Sequence, residues 1–171
     1  MKQGRLEIEG CARISLKAKD LPKNVTLAVG DILFTRKGSF GNAAHVRPGQ
    51  EHAIISSEIM LIRRKPAFLE TILPEYLTLY FNGKAGALQA EKWAHGVAFF
   101  SISQEDLGRF VIPILPVPKQ KDLKTKTDEA ESAFQKSRRL LETAKRAVEI
   151  AIEDGEDAAR NFLNREGHIL K

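Results

Sequence analysis

Three short stretches of this 171-residue chain carry side chains suited to gripping a polyanion. The first, Arg36-Lys-Gly-Ser-Phe-Gly-Asn42, joins two cations to two glycines, which let a backbone come close to a ligand. Within it, Ser39 and Asn42 add donors that reach phosphate oxygens or base edges. An ordinary hairpin turn with solvated charges has the same composition. The second stretch, Arg63-Arg64-Lys65, is a basic triplet of the kind that commonly ends a strand. The third, Lys92-Trp93-Ala94-His95-Gly96, sets a cation, a ring and a flexible hinge side by side, and its Trp fits core and contact equally well. The candidate contact residues are therefore Arg36, Lys37, Gly38, Ser39, Asn42, Arg63, Arg64, Lys92, Trp93 and His95.

Catalytic patterns are missing. The histidines, His45, His52, His95 and His168, do not fall at helical spacings, and Cys11 is the single cysteine, so neither a metal site nor a disulfide is expected. Ser39, Ser56, Ser57 and Ser101 lack the Gly-x-Ser-x-Gly of a nucleophile elbow. Lys37-Gly38-Ser39 lacks the glycines that precede the lysine of a phosphate-binding loop. Gly38-Ser-Phe-Gly41 matches the GxxG of KH modules, but that loop joins two helices and here a strand precedes it. The chain reads as a non-enzyme, with no catalytic residue, metal or cofactor.

The elements that must hold these stretches follow from patterning. Hydrophobic residues make up 43% and charged residues 29%, a globular balance. Formal net charge is +5. Residues 1–118 hold 15 basic and 11 acidic side chains, net +4, and 119–171 hold 12 and 11, net +1, so the surplus lies in the first part. No run of about 18 apolar residues and no signal-peptide pattern occurs, which predicts a cytoplasmic protein with no membrane partner. Strands are expected at 5–9, 12–16, 25–29, 32–35, 43–46, 53–56, 58–63 and 97–102, with an edge strand over 110–115 because Pro113 cannot donate to a ladder. Pro74 suits the first turn of a helix that Gly83 stops, and a second short helix is expected from Leu88 to Trp93. Ser103-Gln-Glu-Asp106 reads as a helix cap. The fold class is α+β: a small mixed, largely antiparallel sheet domain with short helices over 1–118, then a long coiled-coil-forming helix over 119–171. Leu115-Pro-Val-Pro-Lys-Gln120 is the stiff joint between them.

The long helix has a regular seam. Leu123, Thr127, Ala130, Phe134, Ser137, Leu141, Ala144, Val148, Ala151, Gly155, Ala158 and Phe162 alternate steps of four and three. From about Gln120 to Phe162 a helix of good formers would run roughly 65 Å. Its seam would leave Leu123, Phe134, Leu141, Val148 and Phe162 in water at about 1.5–3 kcal/mol each, so a partner is expected along it. The first half is rich in Lys and Arg and the far end in Glu and Asp, which favours an antiparallel homodimer. A solvated helix, or one folded back on its own domain, is the plainer alternative. Thr127, Ser137 and Gly155 are the weak seam positions.

In order along the chain, the segments resemble a known family. Gly30-Asp-Ile-Leu-Phe-Thr-Arg-Lys-Gly-Ser-Phe-Gly-Asn-Ala-Ala-His-Val46 resembles the strand–loop–strand of target-recognition domains in specificity subunits of Type I restriction-modification enzymes. Ile55 to Arg63 is similar to the family's next strand, and Leu73-Pro-Glu-Tyr-Leu77 with Phe81-Asn-Gly83 to its "Pro-Glu-Tyr-Leu … Phe-Asn-Ser" helix. Gln89 to Gly96, with Ile102 and Leu107, resembles the last recognition segment. Ile112-Pro-Ile-Leu-Pro-Val-Pro-Lys-Gln120 resembles the "Ile-Pro-Leu-Pro-Pro-x-x-x-Gln" before the family's long helix.

The resemblance implies a non-catalytic reader of one half of a bipartite double-stranded DNA target. It further implies docking onto an adenine-specific methyltransferase subunit and, in a full complex, a motor-nuclease subunit. Family members carry two recognition domains and two helices, so one of each predicts a half-length subunit acting as a dimer, or the C-terminal portion of a longer one. A coiled-coil assembly module that binds a methyltransferase or other protein without touching DNA is the alternative.

Overall fold

The computed structural model describes residues 4–8, 10–13, 26–96 and 100–169. It divides into two compact units, Met1–Lys124 and Thr125–Lys171. The architecture is α+β, with a small sheet and short helices followed by a long C-terminal helix.

In the first unit the organising strand is β1 (Ile32–Thr35), the centre of a three-stranded antiparallel sheet with β2 (Ala43–His45) and β3 (Ile59–Ile62) on its two sides. Phe34 stands opposite Ala43 on one side and Met60 on the other. Side chains of a strand alternate between faces, so Ile32 and Phe34 enter one core while Leu33 enters a second with Leu27 and Val46. The first core is closed by α1 (Pro74–Asn82) and α2 (Lys84–Trp93) through Leu77, Phe81 and Ala90. Phe34 meets Phe81 and Phe110 edge-on, at ring centroids of 5.4 and 6.0 Å. Asn82 covers the outer edge of β2. Its amide donates to the Ala43 carbonyl at 2.8 Å and its oxygen accepts the Ala43 amide at 3.1 Å, a side-chain stand-in for a fourth strand.

Several expectations change in ways the physics explains. The second helix starts at Lys84 rather than Leu88, with Gly83 ending α1 and capping α2 at once. Residues 110–115 belong to no sheet and carry no regular structure. Side chains take the ladder's place: the Tyr80 hydroxyl donates to the Val111 carbonyl at 2.7 Å, Gln89 Oε1 accepts the Val111 amide at 2.8 Å, and the Tyr76 hydroxyl donates to the Pro113 carbonyl. Residues 26 and 54 meet in a single bridge rather than in two strands. Residue 5 lies in an isolated bridge and residues 6–8 and 12–13 carry no regular structure, while residues 9 and 14–16 of the two opening strands and 97–99 of the 97–102 strand lie outside the described residues. α3 (Gln104–Gly108) carries the expected cap: Ser103 Oγ accepts the Asp106 amide at 3.0 Å, and Asp106 accepts the Ser103 amide in return.

The proline-bearing joint is also helical at its end. α4 (Val117–Asp154) opens with Pro118 in its first turn, where a missing N–H costs nothing. Its first turns belong to the first unit. Gln120, fully buried, accepts the Leu73 amide at 2.8 Å and donates to the Thr71 and Leu115 carbonyls at 2.9 and 2.7 Å. Lys124 pairs with Glu75 at 2.7 Å.

In the second unit the helix does not run unbroken. Gly155, at φ +92°, ends α4, and α5 (Glu156–Ile169) follows directly. A left-handed residue cannot continue a right-handed helix, and glycine is the residue that takes that conformation freely. The seam is thus one stripe only as far as Ala151, and Phe162 lies on a separate helix. Around the break the small residues Ala147 and Ala159 are buried, and Ala151, Ala158 and Phe162 are half-buried. Leu141 and Val148 are 56% and 60% exposed, and Ile152 extends their stripe at 80%.

Candidate nucleic-acid interface

The hairpin between β1 and β2 is fixed from within. Thr35 Oγ1 donates to the Ser39 carbonyl at 2.6 Å and accepts the Asn42 amide at 3.0 Å; Asn42 Nδ2 donates to the same Ser39 carbonyl at 2.7 Å. Gly41 seats the loop on α2, with so little room that an added Cβ would stand 3.0 Å from Ala90 Cβ. Asn42 is therefore a loop-holding residue with its amide committed, not a free donor. Ser39 contributes its carbonyl to the ring of bonds and leaves its side chain exposed beside Gly38.

Beyond the hairpin the backbone brings sequence-distant residues side by side. The Arg36 amide donates to the Glu58 carbonyl, and the Arg36 carbonyl accepts the Ile102 amide at 3.0 Å. Lys37 lies in an antiparallel bridge with Ser101, and Ser101 in a second one with His95, whose backbone groups exchange bonds at 2.8 and 2.9 Å. His95 Nε2 lies 3.7 Å from Asp106, and Arg109 Nη1 approaches the same carboxylate at 3.7 Å. The Ser103 hydroxyl first, then the Ser103 backbone amide and the neighbouring His95 and Arg109, hold the Asp106 carboxyl below its ordinary range. The Trp93 ring carries a cation at two points: Lys92 Nζ at 4.9 Å and the Arg109 guanidinium at 5.0 Å from its centroid. Arg36, Lys37, Lys92, Trp93 and His95 thus gather with Ser101 between them.

Their availability differs. The Arg36 guanidinium makes no hydrogen bond or ion pair among the described residues, and its Nε is buried without a partner. Lys37 reaches Glu58 at 3.7 Å with both side chains half exposed, a contact worth about 0–1 kcal/mol.

Arg63 and Arg64 stand apart, drawn into the fold. Arg63 forms a two-pronged pair with buried Asp31 at 2.8 and 2.6 Å and donates to the Thr26 carbonyl at 3.1 Å. The hydrogen bond to Asp31 raises the Arg63 pKa. Removing Arg63 would strand a buried carboxylate, so a binding defect in such a variant would report folding first. Arg64 donates to the Ile72 and Leu69 carbonyls at 2.7 and 3.3 Å.

Arg109 belongs to the cluster although nothing in the sequence marks it. Its spacing to Glu105 and Asp106 reads as routine helix-surface pairing, and only the tertiary fold sets it against Trp93. Among the described residues no group of three His, Cys, Asp or Glu could hold a metal ion, and no helix is long and apolar enough to cross a membrane. A scan against protein-family models finds no match, and neither does a search of curated proteins.

Proposed function

We propose that this chain is a non-catalytic DNA-recognition subunit of a restriction-modification system of the adenine-methylating kind. It reads one half of a bipartite duplex target and dimerises through its long helix, with a methyltransferase subunit, and in a larger assembly a motor-nuclease subunit, as partners. One observation carries the reading. Two cationic stretches far apart in sequence, at Arg36–Ser39 and Lys92–His95, are brought side by side by backbone bridges through Ser101, and the Arg36 Nε has no hydrogen-bond partner. Cations gathered with an aromatic ring are the chemistry of backbone-phosphate contact. Leu141 and Val148, exposed on α4, support a helical partner, and the 38 residues of α4 span about 57 Å, a workable distance between half-sites when a turn of B-DNA is about 34 Å.

The test is titration of the full chain with random duplex across a salt series. Arg36→Ala with Lys37→Ala should weaken binding several-fold and make the slope of log K against log salt shallower by about 1–2. An unchanged isotherm in the double variant rejects this surface. The exposed stripe on α4 also favours a second reading, an assembly module that binds protein alone. That reading requires the wild type to show no salt-dependent duplex binding while still co-purifying with a methyltransferase.

A further inference from the structure

Building on the DNA-reading function proposed above, we infer that Arg109 is itself a duplex-contacting residue, gripping a backbone phosphate together with Lys92 on the two cation positions of the Trp93 ring. The position is built rather than accidental. Arg109 caps the C-terminus of α3, its amide bonded to the Asp106 and Leu107 carbonyls, so its backbone is fixed. The ring and the Asp106 carboxylate then aim the guanidinium, at 5.0 and 3.7 Å. Through Asp106 it shares a neighbour with His95, whose backbone is bridged to Ser101 as that of Lys37 is.

The side chain remains half exposed, and its shortest contact is to the exposed Glu105 at 2.6 Å. Such a surface pair is weak and exchanges readily for a stronger acceptor. A phosphate is that acceptor: the flat guanidinium offers two parallel donors to two phosphate oxygens, which an ammonium cannot match. Glu105 would then act as a placeholder, holding Arg109 extended until DNA displaces it. Lys92, on the same ring, adds a point charge toward the same phosphate run.

Trp93 is the chain's single tryptophan, so its emission reports on this spot without a label. The experiment titrates the full chain with a random-sequence duplex over a salt series, reading duplex anisotropy and Trp93 emission for wild type, Arg109→Ala, Arg109→Lys and Glu105→Gln. Arg109→Ala should lose several-fold in affinity, with a slope shallower by about 0.9, the value of one phosphate contact. Arg109→Lys should recover the slope but not the whole affinity. Glu105→Gln, which leaves Arg109 in place and frees it, should bind more tightly, and this arm stands even where the Ala variant folds poorly. Wild-type slope in Arg109→Ala, or unchanged affinity in Glu105→Gln, overturns the assignment. Should the Arg36→Ala, Lys37→Ala variant lose binding in that same series, the DNA-reading function survives and only Arg109 is removed from it. A wild-type chain with no salt-dependent duplex binding overturns both.

Discussion

Replacing Gln120 by Leu tests how the first unit holds the start of the long helix. The amide is completely buried and makes three hydrogen bonds to backbone groups, accepting from Leu73 and donating to Thr71 and Leu115. Leucine has nearly the same bulk but none of the polar atoms, so packing is conserved while one amide and two carbonyls lose their partner. Each stranded backbone group costs about 1–3 kcal/mol, and partial rehydration keeps each near the low end. The sum, less the gain from an apolar side chain, is about 2–4 kcal/mol. With a urea m-value of about 2 kcal/mol/M, the unfolding midpoint should fall by about 1–2 M with m unchanged. The assay is urea unfolding of the full chain followed by Trp93 emission, which reports the first unit alone. A Gln120→Leu midpoint within the scatter of wild type would refute the account, because the three contacts would then be replaced by water without loss.

The Asp106 carboxylate is held below the ordinary 3.8 by the Ser103 hydroxyl first and by His95 and Arg109 after it. A lowered folded pKa gives stability that is complete above about pH 4 and is lost as pH falls through the folded value, so the advantage of wild type over Asp106→Asn in urea midpoint should shrink on acidification. A gap that stays constant from neutral to strongly acid pH would rule this out. Gly86→Ala should destabilise the chain by about 1–3 kcal/mol, since the new methyl would lie 2.5 Å from both the Tyr80 and Phe81 carbonyl oxygens, backbone atoms that cannot swing aside. An unaltered midpoint would mean that α1 and α2 separate more easily than their packing indicates. Leu141→Lys with Val148→Lys, both at exposed positions, should lower the mass in light scattering from the proposed dimer to a monomer while leaving Trp93 emission as it was. Equal mass for variant and wild type would remove this stripe from any self-association.

Much of the first unit was legible because local and tertiary forces agree there. Ile32 to Thr35 reads as a strand from its apolar run, Pro74 and Gly83 mark a helix by what their backbones permit, and Ser103 with Asp106 closes its box as spaced. The errors fall where side chains replace backbone partners. Nothing local in Phe110 to Leu115 shows that Tyr76, Tyr80 and Gln89 will satisfy it instead of a strand, since those residues lie more than twenty positions earlier. Gly155 stood on the seam as one weak position among several; a seven-residue repeat counts apolar side chains and is blind to a backbone that turns left-handed. In the candidate site, charge and glycine content flagged Arg36 to Asn42 and Lys92 to His95, but composition cannot separate a cation that is spoken for from one that is not. Arg63 and Arg36 look alike in the sequence, and only Asp31 distinguishes them.

The hairpin tip between β1 and β2 divides its labour between two kinds of position. Thr35 and Asn42 lock the curve, and Ser39 takes part only through a carbonyl that any amino acid would supply. Gly38, at φ +67°, keeps the turn that favours glycine, and the Ser39 side chain beside it is exposed. Substitutions at Ser39 are therefore nearly invisible to the rest of the fold, while the surface that the tip presents to solvent changes with them. Such a tip is free to drift: the chemistry of its exposed position can be rewritten in single steps, without a compensating change in the scaffold beneath.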